Sequence, residues 1–357
     1  MNQMYYLIAA PLTSLLLVLV LTPLFRKLAV KINFVDKPNN RKAHFTPIPL
    51  VGGFAVFFCS ALVLAFTIHG NNEFKQIIPI IIGAFVLLVM GLIDDKINLK
   101  AIFKLIIQLL VSYYIYLCGI KIDTLFGIFW IDELPEFIKL FLTVIIITGT
   151  VNAFNLSDGI DGLAGGLAII GFTAFSIIAI ILNHHVLAIL FLTIIGALIG
   201  FLRYNLSKKN KIFMGDAGSL FLGFILVVSG IMLLQYSVST PNISKTFSVV
   251  VGILILPVVD SIRVYRKRIQ KGYSPFRADK THLHHLLINL KLDHKKATLI
   301  IVITVVTLVL ISVFSGSYFS NTISIFIILI LFATVTKLLH INDEINDWLK
   351  KMKDLES

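Results

Sequence analysis

The sequence predicts an all-α polytopic membrane protein, and three observations carry that prediction. Hydrophobic residues fill 57% of its 357 positions and charged residues only 14%, where a soluble domain holds about a quarter charged. Mean hydropathy is +0.94. The apolar residues also gather into about eleven runs, 4–25, 50–69, 76–93, 101–118, 135–153, 163–182, 186–202, 218–235, 247–264, 297–314 and 322–340. Most approach the ~20 residues that span a bilayer as helix. The short alternating segments of a membrane barrel are absent.

The first run reads as a retained span, not a cleaved leader. MNQMYY carries no positive charge, and Arg26 and Lys27 follow the run instead of preceding it. The N-terminus is therefore expected outside. Lys and Arg concentrate in loops 26–49, 203–217 and 265–296 and in the tail at Lys350, Lys351 and Lys353. The opposite loops hold only Lys75, Lys121, Lys139 and Lys245. By the positive-inside rule the first set faces the cytoplasm, and eleven spans leave the C-terminus there too. The net charge of +12 is then a property of one face, able to draw anionic lipids and phosphorylated substrates. No soluble module is large enough to dock nucleic acid. Cys59 and Cys118 lie at different predicted depths, which argues against a disulfide. The chain reads as one integral-membrane domain, 1–357, with its polar motifs in 35–290 and two further helices and a tail in 297–357.

Span three ends in GLIDDKINLK, with Asp94 and Asp95 adjacent and Lys104 one turn into the next run. A solvated helix end is the plain alternative, yet acids at a helix C-terminus oppose its dipole. The fifth span runs into NAFNLSDGIDGLAGG. Asn152, Asn155, Asp158 and Asp161 follow at intervals of three and would line one side if the helix continued. Their hard oxygens suit Mg2+, which takes few protein ligands plus substrate phosphate. KIFMGDAGSLFLG then sets Phe213 and Asp216 just before an apolar helix, whose N-terminal amides favour anions; an N-capping aspartate is the alternative. Two basic segments complete this face. RKAHFTPIPLVGG brings Lys42 and His44, and SPFRADKTHLHHLL brings Arg277, His282, His284 and His285. His282 and His285 could share a helical face as zinc ligands do, but carboxylates favour magnesium and phosphate contacts suit these cations better. Asp260 and Arg263, three apart, are expected to pair with each other. Hard-metal ligands and phosphate-binding cations beside lipid suit phosphoryl transfer, which is mostly positioning and charge neutralisation.

In chain order, RKAHFTPIPLVGG, GLIDDK, NAFNLSDGIDGLAGG, FMGDAGSLFLG and HLHH, these five blocks resemble the polyprenyl-phosphate N-acetylhexosamine-1-phosphate transferases. That superfamily includes the phospho-N-acetylmuramoyl-pentapeptide transferases and the eukaryotic dolichol-phosphate enzymes. PIPLVGG, and HLHH after SPFRADKT, look like the bacterial undecaprenyl-phosphate GlcNAc-1-phosphate branch. The resemblance implies a Mg2+-dependent glycosyl-1-phosphate transferase, with Mn2+ able to substitute, in the bacterial cytoplasmic membrane with its site on the cytoplasmic face. A UDP-N-acetylhexosamine, GlcNAc foremost, would give its sugar phosphate to undecaprenyl phosphate and release UMP, starting a cell-envelope polysaccharide. By motif, Asp216 matches a magnesium ligand and Asn155 its amide partner, and Asp94 and Asp95 match a catalytic acidic pair. Asp158 and Asp161 match the nucleotide pocket, with Phe213 stacking the uracil and Asn152 beside them. Lys42, His44, Lys104, Arg277 and the His282, His284 and His285 cluster match substrate-contacting or catalytic positions. Other UDP-sugar donors and a homodimer stay open. A flippase for a lipid-linked sugar is the alternative class, but it would want polar residues continuing through the spans.

Overall fold

A computed structural model describes residues 3–37, 46–67, 74–128, 131, 133–274 and 281–356, with side chains from Met4 to Leu339. Among these residues twelve helices follow one another: α1 (Gln3–Lys31), α2 (Gly52–Thr67), α3 (Phe74–Ile97), α4 (Ala101–Leu117), α5 (Glu136–Ser157), α6 (Leu163–Ile181), α7 (His185–Asn205), α8 (Gly215–Ser237), α9 (Ile243–Gln270), α10 (Leu283–Asn289), α11 (His294–Tyr318) and α12 (Asn321–Glu356). Every predicted apolar run lies in a separate helix. Among the described residues nine helices are long and apolar enough to cross a membrane, while α2 and α4 are apolar but shorter. α10 lies inside the histidine segment, where no span was expected.

Hydropathy does not sort the helices by depth in the bundle: α11 is more apolar than α8 and far less buried. α8 is apolar on every side, as a helix surrounded by other helices must be, and its whole spanning window is buried. It packs against α2, α3, α5, α6 and α9. Aromatic side chains fill the space beside it: Phe172 and Phe175 both meet Phe191, and Phe221 and Phe224 are fully buried. α1, α11 and the described part of α12 instead expose large apolar side chains such as Leu16, Val20, Leu310, Phe314 and Ile330. In water that pattern would aggregate; in a bilayer the lipid covers it.

Three boundaries differ from the sequence expectation, each for a reason that hydropathy does not see. α3 runs past Asp95 to Ile97, because the Asn98 N–H donates to the Asp94 carbonyl (2.8 Å) and that bond is indifferent to side-chain polarity. α5 stops at Ser157, with Asp158 at its C-cap. Asn152, Asn155, Asp158 and Asp161 therefore do not line one continuous helix. α8 starts at Gly215, so Asp216 lies in its first turn and not ahead of it. One short ladder also interrupts the all-α pattern, with Val35–Asp36 antiparallel to Ile48–Pro49.

Candidate active site

One end of the bundle collects the chemistry. The PIPLVGG segment docks on FMGDAG through its backbone: the Phe213 N–H donates to the Pro49 carbonyl, Gly52 N–H to Phe213 and Gly53 N–H to Met214, all at 2.9 Å. This fixes the start of α8. Gly215 there has φ +72°, a left-handed conformation that costs glycine nothing, and a side chain on it would strike the Asp95 carboxylate. Asp95 accepts the N–H groups of Asp216 (2.9 Å) and Ala217 (3.3 Å). A carboxylate badly placed at the end of its own helix thus caps the positive end of another.

Asp94 does something different. Its Oδ1 accepts the Leu99 N–H (2.7 Å) and its Oδ2 accepts Lys104 Nζ (2.6 Å). Lys104 also reaches Asp216 Oδ2 at 3.5 Å, so it bridges two carboxylates from α3 and α8. Asp216 Oδ1 accepts Asn155 Nδ2 (3.1 Å), and the same amide donates to Ser219 Oγ (2.8 Å). The Asp216 side chain is 38% exposed and that of Asp94 only 7%. Asp216 is thus the carboxylate in this cluster with room for a ligand. Asn152 stands one turn back on α5 and exchanges hydrogen bonds with Gln108 of α4. Gln108 drew no attention in the sequence.

Past α5 the chain carries Asp158 and Asp161 on a loop. Asp158 lies within electrostatic reach of Asp216, Asp95 and Asp161, and so joins the carboxylate cluster to the rest of the site. Burial first, and then those three carboxylates, push it up to about 8. Burial also works against ionised Asp161, but hydrogen bonds from His294 and Lys211 outweigh it and hold this carboxyl below the ordinary value. Lys211 Nζ sits 2.5 Å and His294 Nδ1 3.3 Å from Asp161 Oδ2, and Thr298 donates to its carbonyl (2.8 Å). Lys211 lies 5.3 Å over the Phe213 ring, a cation–π distance. Asn205 ties the two segments by accepting the Gly162 N–H (2.7 Å) and donating to the Ile212 carbonyl (2.9 Å).

The histidine segment closes over this loop. α10 begins at Leu283 with His282 as an extended N-cap, so His282 and His285 do not share a helical face. His282 Nδ1 meets Asp260 Oδ2 at 2.9 Å, while Arg263 donates to Asp260 Oδ1 at 2.7 Å. The expected Asp260–Arg263 pair is present, and it serves as the seat of a histidine. His284 packs on Gly159, where any side chain would collide with its ring. Burial, followed by His285 and His282, pushes the His284 imidazole down to about 3, so it is neutral under physiological conditions. The His284 and His285 rings lie 4.3 Å apart.

Asp94, Asp95, Lys104, Asn155, Asp158 and Asp216 thus form one connected group, with Asp161 and Phe213 reached through Lys211 and His284 through Gly159. Lys42, His44 and Arg277 lie outside the described residues. Gln108, Lys211, Asn205, Asp260 and His294 escaped the sequence reading; only Asp260, a carboxylate in an apolar run, left a trace there. Among the described residues no three or more Asp, Glu, His or Cys side chains are arranged to hold a metal ion. An exposed Asp216 beside the Asn155 amide nevertheless suits a cation that borrows most of its ligands from substrate and water, as Mg2+ does.

The fold and this cluster define a multi-pass helical membrane protein with acids, a lysine and histidines gathered at one end of the bundle. Residues 77–234 match the sequence profile of glycosyl transferase family 4. The chain is 37% identical over 304 residues to a Bacillus subtilis (strain 168) protein named "Probable undecaprenyl-phosphate N-acetylglucosaminyl 1-phosphate transferase", covering 84% of this chain and 82% of the relative. It is 32% identical over 334 residues to the Escherichia coli (strain K12) "Undecaprenyl-phosphate alpha-N-acetylglucosaminyl 1-phosphate transferase", covering 90% and 87%. A Yersinia pestis protein of that same name is 32% identical over 294 residues, covering 81% and 78%. The chain belongs to glycosyl transferase family 4.

Proposed function

We propose that this protein transfers GlcNAc-1-phosphate from UDP-GlcNAc to undecaprenyl phosphate and releases UMP. The observation that carries the reading is the cluster in which Lys104 bridges Asp94 and Asp216, on the same helix α4 that lines an apolar groove. The groove, about 880 Å³, lies between α4 and α5 and is lined by Ile106, Leu110, Tyr113, Phe137, Phe141 and Ile145. Ile106, at the groove's end nearest Lys104 in the chain, is about 3 Å further along the axis of α4, and in this reading the polyprenyl chain lies along that helix with its phosphate towards Lys104. The names of the relatives support the same substrates.

In this reading an oxygen of the lipid phosphate attacks the β-phosphorus of UDP-GlcNAc. The bond from that phosphorus to the bridging oxygen breaks, and UMP leaves with the electron pair. Lys104 offsets the charge of the incoming phosphate, and Asp94, hydrogen-bonded to Lys104, is placed to take a proton from a monoanionic acceptor. Phe213 offers a face to the uracil, with Asp158 and Asp161 supplying polar contacts to the nucleotide. Asp216 and Asn155 would hold Mg2+, which when bound supplies charge neutralisation on the diphosphate. In this reading the charged end faces the cytoplasm, which the positive charge of its loops supports.

The test is UMP release by purified protein with undecaprenyl phosphate, Mg2+ and a panel of UDP-sugars. Turnover with UDP-GlcNAc, its arrest by EDTA and its restoration by Mg2+ are expected. Asp216→Asn should abolish turnover while the protein stays folded. Full activity of that variant in chelator would end the metal assignment.

A further inference from the structure

The buried cluster around Asp260 contains two nitrogens that bond to nothing among the described residues. Asp260, 4% exposed, is surrounded by donors. Arg263 gives it Nε (3.2 Å) and Nη2 (2.7 Å), the Leu283 N–H lies 3.2 Å from each oxygen, and His282 Nδ1 stands at 2.9 Å. A carboxylate so placed can only accept, so the His282 proton facing it is on Nδ1. That leaves Nε2 of His282, itself 4% exposed, buried and without a partner. Nη1 of Arg263 is in the same condition. Burying one such group unpaired costs about 1–3 kcal/mol, and two beside one carboxylate call for a ligand. Arg263 also donates to the Thr281 carbonyl (2.7 Å), which pins the residue before His282. The His282 ring lies parallel to that of His284 at 5.9 Å, and His284 rests on Gly159 in the Asp158–Asp161 loop.

We propose that Asp260 is a positioning residue for the transfer reaction: it holds His282 through Nδ1–H and orients the ring so that Nε2, with Arg263, meets an anionic oxygen of the nucleotide sugar. A phosphate oxygen accepts only, so the ring that meets it carries protons on both nitrogens, and Asp260 is the counter-ion of that bound state. The inference rests on the UDP-sugar reading above and adds to it a residue that never touches substrate.

The experiment is a double-mutant cycle on purified protein, with Asp260→Asn, His282→Ala and the pair, reading kcat and both KM values. Asp260→Asn should lower kcat/KM for UDP-GlcNAc by ~10–100-fold, the scale of losing a charge-assisted or ligand-orienting hydrogen bond. It should leave KM for undecaprenyl phosphate unchanged and add nothing in the His282→Ala background. Additive losses, or equal damage to both KM values, would mean that Asp260 merely holds α10 in place, and would overturn the proposal. If Asp260→Asn does not fold, ¹⁵N-histidine spectra of the wild-type protein decide instead. The His282 Nε2 signal, assigned by its loss in His282→Ala, should move on adding UDP-GlcNAc while Nδ1 stays protonated. An unmoved signal in protein that turns over UDP-GlcNAc overturns the role of Asp260 alone. A wild type that neither binds nor turns over UDP-GlcNAc overturns the transferase reading and this inference with it.

Discussion

Asp94 and Asp95 are identical neighbours in sequence and do unlike work. Asp95 spends both oxygens on the first amides of α8, whereas Asp94 holds Lys104. Asp95→Ala should therefore behave first as a lost cap, about 1–2 kcal/mol, and displace Asp216 with it. Asp94→Asn still accepts the Leu99 N–H and leaves Lys104 its contact with Asp216, so its thermal midpoint should fall with the lost charge, but by less than that of Asp95→Ala. If Asp94 is the base, kcat should fall ~10²–10⁴-fold and recover as pH rises, because the acceptor phosphate, with a second pKa near ~6 in water, then ionises unaided. Thermal unfolding and kcat–pH profiles of the two variants check this. Equal midpoints for both, or an Asp94→Asn variant that is dead from pH 6 to 9.5 and needs far more Mg2+, would transfer the pair to the metal site. The sequence could flag both residues as misplaced against a helix dipole. It could not divide their roles, because the amides that distinguish them lie at positions 216 and 217.

At the scale of elements, α10 and the α4–α5 groove each make a separable prediction. His284 sits near 3 in the fold against about 6.5 in an unfolded chain. Between those values the unfolded chain binds a proton here that the folded protein does not. Its contribution to stability is complete above about pH 6.5 and is lost as pH falls toward 3, by up to ~1.4 kcal/mol per pH unit. His284→Gln should flatten the fall of the unfolding midpoint between pH 7 and 5, and an unchanged slope would refute a buried neutral imidazole. In the groove, Leu110→Gln or Phe141→Gln should raise KM for undecaprenyl phosphate ~10-fold or more, as expected for losing ~1.5–3 kcal/mol of apolar contact. KM for UDP-GlcNAc should stay constant. An equal rise for a two-isoprene phosphate, too short to follow the groove, would count against the assignment. Neither element was legible beforehand. The His282–Asp260 contact spans 22 residues and joins two segments with no shared period, and a lipid-facing groove looks in sequence like any other apolar helix surface.

For the whole molecule, the sequence was most informative where one physical term dominates. Eleven apolar runs fall on eleven separate helices because insertion into hydrocarbon depends on average composition, whereas the central burial of α8 could not be read from its apolarity, which α11 exceeds. The two polar ends, by contrast, are told apart only by what they hold. One carries Asp94, Asp216, Asp161 and the histidines; the other carries the Lys121, Asp123, Glu136 and Lys139 network, with Lys121 Nζ 2.6 Å from Glu136. Both ends are charged and well paired, so packing alone does not say which faces the cytoplasm. Two arguments do. The basic loops cluster at the first end, and a water-soluble UDP-sugar made in the cytoplasm must reach Phe213 and Asp158 without crossing lipid. α7 separates the two sides cleanly: its 21 residues span about 31 Å as helix, with Asn183 before it and Lys209 after it. A reporter fused after Lys209 should read cytoplasmic and one after Asn183 external. The same pair of fusions in a variant with Lys208, Lys209 and Lys211 changed to Gln should weaken that asymmetry if positive charge sets it. An external reading at Lys209 in the native sequence would put the carboxylate cluster on the wrong side of the membrane for its donor, and the transferase mechanism could not operate as described.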